Sequence, residues 1–267
     1  METPPLQGGW VGLKIMTTKE ALINYCLRIG DTSLILGQRM SEWSSNGPIL
    51  EEDIAMTNIA LDLFGQSRTM LTYAGEIEGK DRTEDALAYK RNEREFFNSL
   101  LSERPNGHFG DTVVRNFFQT TYFYHLYTAL STSKNEMIAA HAAKSLKEVT
   151  YHIRHSAEWI VRLGDGTDES KNKVQTSIND LWECTGNLFE MNEVDSILIN
   201  EGIAVNQNEI KLNWDKTIND VFERATLIRP TDSYMQTGSL NGIHSEYLGH
   251  LLAEMQFLPR AYPTAKW

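Results

Sequence analysis

NEMIAAHAAKSLKEVTYHIRHSAEWIVRLGDG, residues 135–166, is the stretch that decides the fold. It predicts one long helix from Asn135 to Leu163, stopped by Gly164-Asp165-Gly166. That Gly-x-Gly follows a helix and not a strand, so it is a helix stop and not a dinucleotide fingerprint. Working outward, 18–43, 50–76 and 111–131 show the same 3.6-residue period, and four such helices suffice for a bundle. The first opens with Thr17 and Glu20 as a capping box. Gly30 and Asp31 sit within it, where propensity alone would not put them. The second opens with Glu51, Glu52 and Asp53, which suit the positive end of a helix dipole. Asp111 reads as the N-cap of the aromatic fourth helix, Thr112 to Leu130.

Shorter helices are predicted over 84–101, 170–190, 213–229 and 244–258, with Ile203–Val205 the nearest approach to a strand. No alternation of strands and helices occurs, so the expected class is all-α. The linker 163–170 is too short to divide the chain. We therefore expect a loose N-terminal arm over 1–16, rich in Pro and Gly, and a single helical domain over 17–267.

The net charge of −11 argues against nucleic acid, whose affinity rests on cations neutralising phosphates. Two cysteines, Cys26 and Cys184, are too few for a disulfide scaffold and read as buried thiols of a reducing compartment. No apolar run approaches the ~20 residues of a membrane span. The first residues lack the basic and apolar blocks of a signal peptide, so a cytoplasmic location and no membrane partner are expected.

Nucleophile elbows, phosphate loops, Cys-x-x-Cys and His-Glu-x-x-His are absent from the sequence. The richest chemistry lies in Lys147–Trp159, where Glu148, His152 and His155 share one helical face. A carboxylate and an imidazole pointing together into a bundle either ligate iron or form a hydrogen-bonded polar face. Asp62 on the second helix is set among apolar residues, but position 65, where an acid-x-x-His pair would need histidine, is Gly65. Asp31 is either a lone carboxylate ligand or a buried hydrogen-bond partner. His125 reads as a satisfied core histidine. The fourth helix has no acid between Thr112 and Leu130. Glu246, His250 and Glu254 form a solvated or interfacial ladder, and Arg68, Lys90, Arg91 and Arg94 read as solvent-facing.

Several segments together carry a resemblance. LGQRMSEW (36–43), NIALDLFGQSR (58–68), RNEREFFNSLLSERPNGHFGDT (91–112), KEVTYHIRHSAEWIVRLGDGTD (147–168), EGIAV (201–205) and HSEYLGHLLAEMQFLPRAYP (244–263) resemble the C-type subunits of phenylacetyl-CoA epoxidases. The likeness runs from about residue 17 to the end. It implies a ferritin-like bundle with additional C-terminal helices, a structural subunit in aerobic phenylacetate breakdown. In that family a ferritin-like sister subunit holds the di-iron centre that epoxidises the ring, with a small bridging subunit. A reductase brings electrons from NADPH through FAD and iron–sulfur centres.

The residues bear on that reading directly. A two-metal bundle site draws on about four carboxylates and two histidines, two of the helices each giving an acid-x-x-His pair. Here Gly65 follows Asp62, Tyr151 follows Glu148, and His152 is one residue out of register. Asp31, Asp62, Glu148 and His152 are thus remnant positions, with no metal expected in this chain. A rival reading makes these four, with His125, a di-iron or di-manganese oxidase. The partner interface is expected on faces carrying Trp43, Trp159, Trp182 or the C-terminal helix.

Overall fold

The computed structural model describes residues 16–265, so the expected arm over 1–16 lies outside them except for Met16. Ten α-helices account for most of the described chain: α1 Thr18–Ser41, α2 Leu50–Glu78, α3 Glu84–Tyr89, α4 Leu100–Glu103, α5 Phe109–Leu130, α6 Glu136–Gly164, α7 Asp168–Trp182, α8 Glu193–Asn200, α9 Gln207–Arg224 and α10 Glu246–Ala261. Among the described residues there is no strand, and no helix is long and apolar enough to cross a membrane. Ile203 and Ala204 belong to the turn after α8, both N–H groups returning to the Leu198 carbonyl.

Four long helices make the bundle. α1 and α2 run antiparallel and close together: a Cβ on Gly30 would come 2.9 Å from Leu71, and one on Gly37 would come 2.9 Å from Phe64. That close approach is why glycine sits mid-helix against its propensity. α5 and α6 form a second antiparallel pair, with Phe109 edge-on to Trp159 and Tyr127 edge-on to His141. Asp62 with His152 and Gln66 with Glu148 join α2 to α6, again antiparallel. Across the bundle, Tyr25 and Ile29 of α1 face Tyr122 and Leu126 of α5. α2 and α5 consequently run the same way, and the long crossover 79–108 links them. One such crossover is the topology of a ferritin-like bundle.

The crossover corrects the expected helix over 84–101. It breaks into α3, a 3₁₀ turn at Glu93–Glu95, extended backbone at Phe96, and α4. Other elements take its backbone donors: Phe97 N–H goes to Asp31, Ser99 N–H to Thr32 Oγ1, and Leu100 N–H to Asn187 Oδ1. A continuous helix would have to give these up. α5 starts earlier than expected because His108, not Asp111, is its N-cap. The imidazole Nδ1 accepts from Asp111 N–H, and Asp111 Oδ2 accepts from His108 N–H. The helix expected over 170–190 ends at Trp182 and continues as 3₁₀ turns to Phe189. α9 begins six residues before its expected start, capped by Asn206.

Two cores result. One fills the bundle and extends under α8 and α10. The other packs α7, α9 and the 3₁₀ turns onto α5 and α6, with Phe118 touching Trp182, Trp214 and Phe222. Trp182 is therefore a core residue, 4% exposed, and offers nothing to a partner. Phe109 and Tyr122 pack against both cores. Cys26 and Cys184 are free, buried thiols.

Candidate functional site

The centre of the bundle is where the sequence placed its candidate chemistry. From α2, Gln66 turns inward and donates from Nε2 to Glu148 Oε2 of α6 at 2.9 Å. Its Oε1 accepts from the Tyr127 hydroxyl of α5 at 3.2 Å. Ser33 of α1 lies beside that phenol. Burial pushes the Tyr127 pKa well up, so the phenol stays protonated and keeps its place as donor. Helices α2, α5 and α6 thus contribute Gln66, Tyr127 and Glu148 to one hydrogen-bonded network with a single carboxylate, and Ser33 of α1 lies beside it.

Two further pairs stitch α2 to α6 along the same groove. His152, fully buried, meets Asp62 at 3.0 Å, and Asp62 is about 39% exposed at its side chain. His155 meets Glu52 at 2.8 Å. His141, beside Tyr127, is buried with its pKa lowered to about 4, first by burial and then by the Lys144 charge. It is neutral near pH 7.

The remnant positions are not brought into one cluster. Asp62, Glu148 and His152 line the α2–α6 groove, Asp62 and His152 paired with each other and Glu148 with Gln66. Asp31 lies elsewhere, fully buried: Arg91 holds both of its oxygens, at 3.0 Å through Nη1, and the Phe97 N–H adds a third bond. Arg91, expected at the surface, is 3% exposed for this reason. His125 is satisfied by Thr217 of α9 at 2.9 Å, burial lowering its pKa. Glu246, His250 and Glu254 are exposed.

Gly65 and Tyr151 need a different account. Gly65 is exposed, and a Cβ there would meet nothing within 4 Å. Tyr151 is 40% exposed. Both positions face outward, so a histidine at either would not point into the bundle. The inward neighbours are Gln66 and His152, four residues after Asp62 and Glu148. Sequence reasoning missed Gln66 and Tyr127. Their signal was the matched i, i+4 spacing of polar residues on two apolar helices, which brings Gln66 level with Glu148 when the helices run antiparallel.

Among the described residues no group of three or more His, Cys, Asp or Glu is arranged to hold a metal ion. Away from this centre, a cavity of ≈ 50 Å³ lies between α1, α5 and the 3₁₀ turns, where the two cores meet. The Tyr25 hydroxyl, Gln119 Nε2 and Gln207 Oε1 line it without a protein partner. Arg28 and Asp195 close one side as a buried ion pair at 2.8 Å.

Residues 14–267 match the family model described as phenylacetic acid catabolic protein. A relative from Escherichia coli (strain K12), the C-type subunit of 1,2-phenylacetyl-CoA epoxidase, is 45% identical over 246 residues, spanning 92% of this chain and 99% of that protein.

Proposed function

The chain belongs to the phenylacetic acid catabolic protein family, and from that premise we propose that it is a non-catalytic structural subunit of a phenylacetyl-CoA epoxidase. Its role is to brace the subunit that holds the metal. The observation that carries this reading is the content of the bundle centre: Gln66 and Tyr127 are hydrogen-bonded with one carboxylate, Glu148, beside Ser33. A two-metal centre takes a carboxylate from each of its helices and two histidines. The donor set here does not fit one. Asp62 and His152 satisfy each other, and Asp31 is spent on Arg91.

In this reading the di-iron centre, which activates O₂, belongs to a ferritin-like sister subunit, with a small bridging subunit beside it. Electrons arrive from NADPH by way of FAD and iron–sulfur groups of a reductase. This chain contributes rigidity. Metal geometry must be held to about half an ångström, and a helical neighbour whose helices are tied across the bundle by Gln66–Glu148, Asp62–His152 and Glu52–His155 supplies a stiff support.

Iron and manganese content of the chain expressed alone, with metal supplied and loosely bound ions removed, tests the first half. Near zero supports the structural role. About two metals per chain, lost in Glu148→Gln, would establish instead a di-iron or di-manganese oxidase. Reconstitution tests the second half: epoxidation by the sister subunit should require this chain, and should be unchanged when the chain carries Glu148→Gln.

A further inference from the structure

The cavity where the two cores meet is polar, and each charged group on its wall is already engaged. Arg28 spends its guanidinium on Asp195 at 2.8 Å, Asn192 at 2.8 Å and Asn24 at 2.7 Å. Glu190 accepts from the Gly238 N–H and from Asn187 Nδ2, the latter at 2.7 Å. Ser99 donates to Gln119 Oε1 at 2.7 Å, and Ser239 to Asn187 Oδ1 at 3.1 Å. With its charges paired, the cavity makes no call for an ion.

Three polar atoms are left over, each from a different helix. They are the Tyr25 hydroxyl of α1, Gln119 Nε2 of α5 and Gln207 Oε1 at the start of α9. Their residues are only 3%, 0% and 3% exposed, so bulk solvent does not satisfy them. Burial, with Tyr122 and Asp195 beside it, keeps the Tyr25 phenol protonated, able both to donate and to accept. Gln119 Nε2 can only donate and Gln207 Oε1 can only accept. Native interiors satisfy nearly all such atoms, because an unpaired one is costly.

Size narrows the occupant further. The space is ≈ 50 Å³. A water needs about 10–15 Å³, so about three or four fit, whereas a cavity that takes benzene measures about 150 Å³. The occupant is therefore neutral, very small, and both donor and acceptor. We propose that this cavity is an internal hydration site, whose ordered waters bridge the Tyr25 hydroxyl, Gln119 Nε2 and Gln207 Oε1. The bridge spans the two cores: Tyr25, Ile29, Phe123 and Leu126 on its wall belong to the bundle core, and Leu188 to the second. It joins α9 to α1 through water where their side chains do not meet. The site is independent of the structural-subunit reading, since it needs neither metal nor partner.

The test combines a crystal structure of the full-length chain, at a resolution that shows ordered water, with ¹⁷O relaxation dispersion and thermal melts of wild type and Tyr25→Phe. Water is expected within hydrogen-bond distance of all three atoms, and dispersion should count it among the long-lived waters. Tyr25→Phe keeps the ring and removes only the hydroxyl. In a hydrated site it should lose at least one long-lived water and lower Tm by about 2–4 °C, the effect of one hydrogen bond in a chain of this size. In a dry site the same change deletes an unsatisfied polar atom, so Tm should hold or rise. A Tm that holds or rises overturns the proposal, as does a cavity free of density. A small organic molecule found in place of water overturns it as well.

Discussion

At the residue scale the strongest commitments are buried charges held by their neighbours. His244 has an acceptor at each ring nitrogen: the Glu103 carboxylate at Nδ1 and the Phe96 carbonyl at Nε2, the latter at 2.8 Å. A ring with acceptors on both sides is satisfied only as imidazolium. Burial works against that charge, but the bond and charge of Glu103, the Phe96 carbonyl and the Asp31 charge outweigh it, and the His244 pKa is raised. The same carboxylate takes the Ser245 N–H and an Asn98 amide hydrogen, so this cluster ties the start of α10 to the crossover. A histidine held above its free value of ~6.5 stabilises the fold fully below that pH, and the stabilisation is lost as pH rises through the raised value. His244→Gln should therefore lower stability by roughly 1–3 kcal/mol near pH 5, with a smaller deficit at pH 9. Denaturant curves at both pH values check it; an equal deficit at each would refute the imidazolium. Asp31→Asn leaves Arg91 buried with its charge uncompensated and should cost about 3–5 kcal/mol, while Asp31→Asn with Arg91→Met should recover part of it. The alternative of a buried partner contact for Asp31 was legible in the sequence. Its partner was not, because Arg91 lies sixty residues away in a stretch that reads as a helix with an outward charged face.

At the element scale the long helices follow from periodicity, and the errors fall where tertiary contacts compete with local rules. α1, α2 and α6 match their predicted spans within two or three residues, since a long apolar repeat dominates any single residue. The crossover does not, because its backbone hydrogens serve Asp31, Thr32 and Asn187 from other elements, which no local pattern records. The cap at His108 was missed because imidazole is rare among N-caps. Which way each helix faces was half legible: the sequence set Glu148 and His152 on one side correctly, yet counted missing ligands at positions 65 and 151, which point outward. Two glycines test that orientation. At Gly164 a Cβ would lie 2.4 Å from the Ala225 carbonyl oxygen, backbone that cannot swing aside, so Gly164→Ala should destabilise by about 1–3 kcal/mol. At Gly65 a Cβ meets nothing, so Gly65→Ala should stabilise the isolated chain by roughly 0.5–1 kcal/mol through helix propensity alone. Thermal melts of the two variants should move in opposite directions. Matching losses would mean that position 65 is enclosed and the assigned facing of α2 is wrong.

At the scale of the whole molecule the question is whether two cores make one cooperative unit. The bundle core is built on α1, α2, α5 and α6, and the second core adds α7 and α9. α5 is continuous through both: Phe123 and Tyr127 stack in the first, Phe117 and Phe118 pack in the second. Unfolding either core removes the support of one half of α5, and a helix loses its stability with its tertiary packing. Asn187 makes a second tie, its Oδ1 accepting from the Leu100 N–H of the crossover and from Ser239. We therefore expect residues 17–267 to unfold as one domain. Trp182 and Trp214 report on the second core, since both are buried there against Phe118. Far-UV circular dichroism reports chiefly on the long bundle helices. In urea the two signals should give coincident transitions with the same midpoint. Phe118→Ala removes a fully buried ring from the second core and should cost about 3–5 kcal/mol, moving both signals together. If the tryptophan transition alone shifts, the cores are separate domains, and the bundle could stand without its C-terminal helices. On the structural-subunit reading proposed above the distinction matters: coincident transitions mean that strain at any face of the bundle is resisted by the full chain, not by four helices.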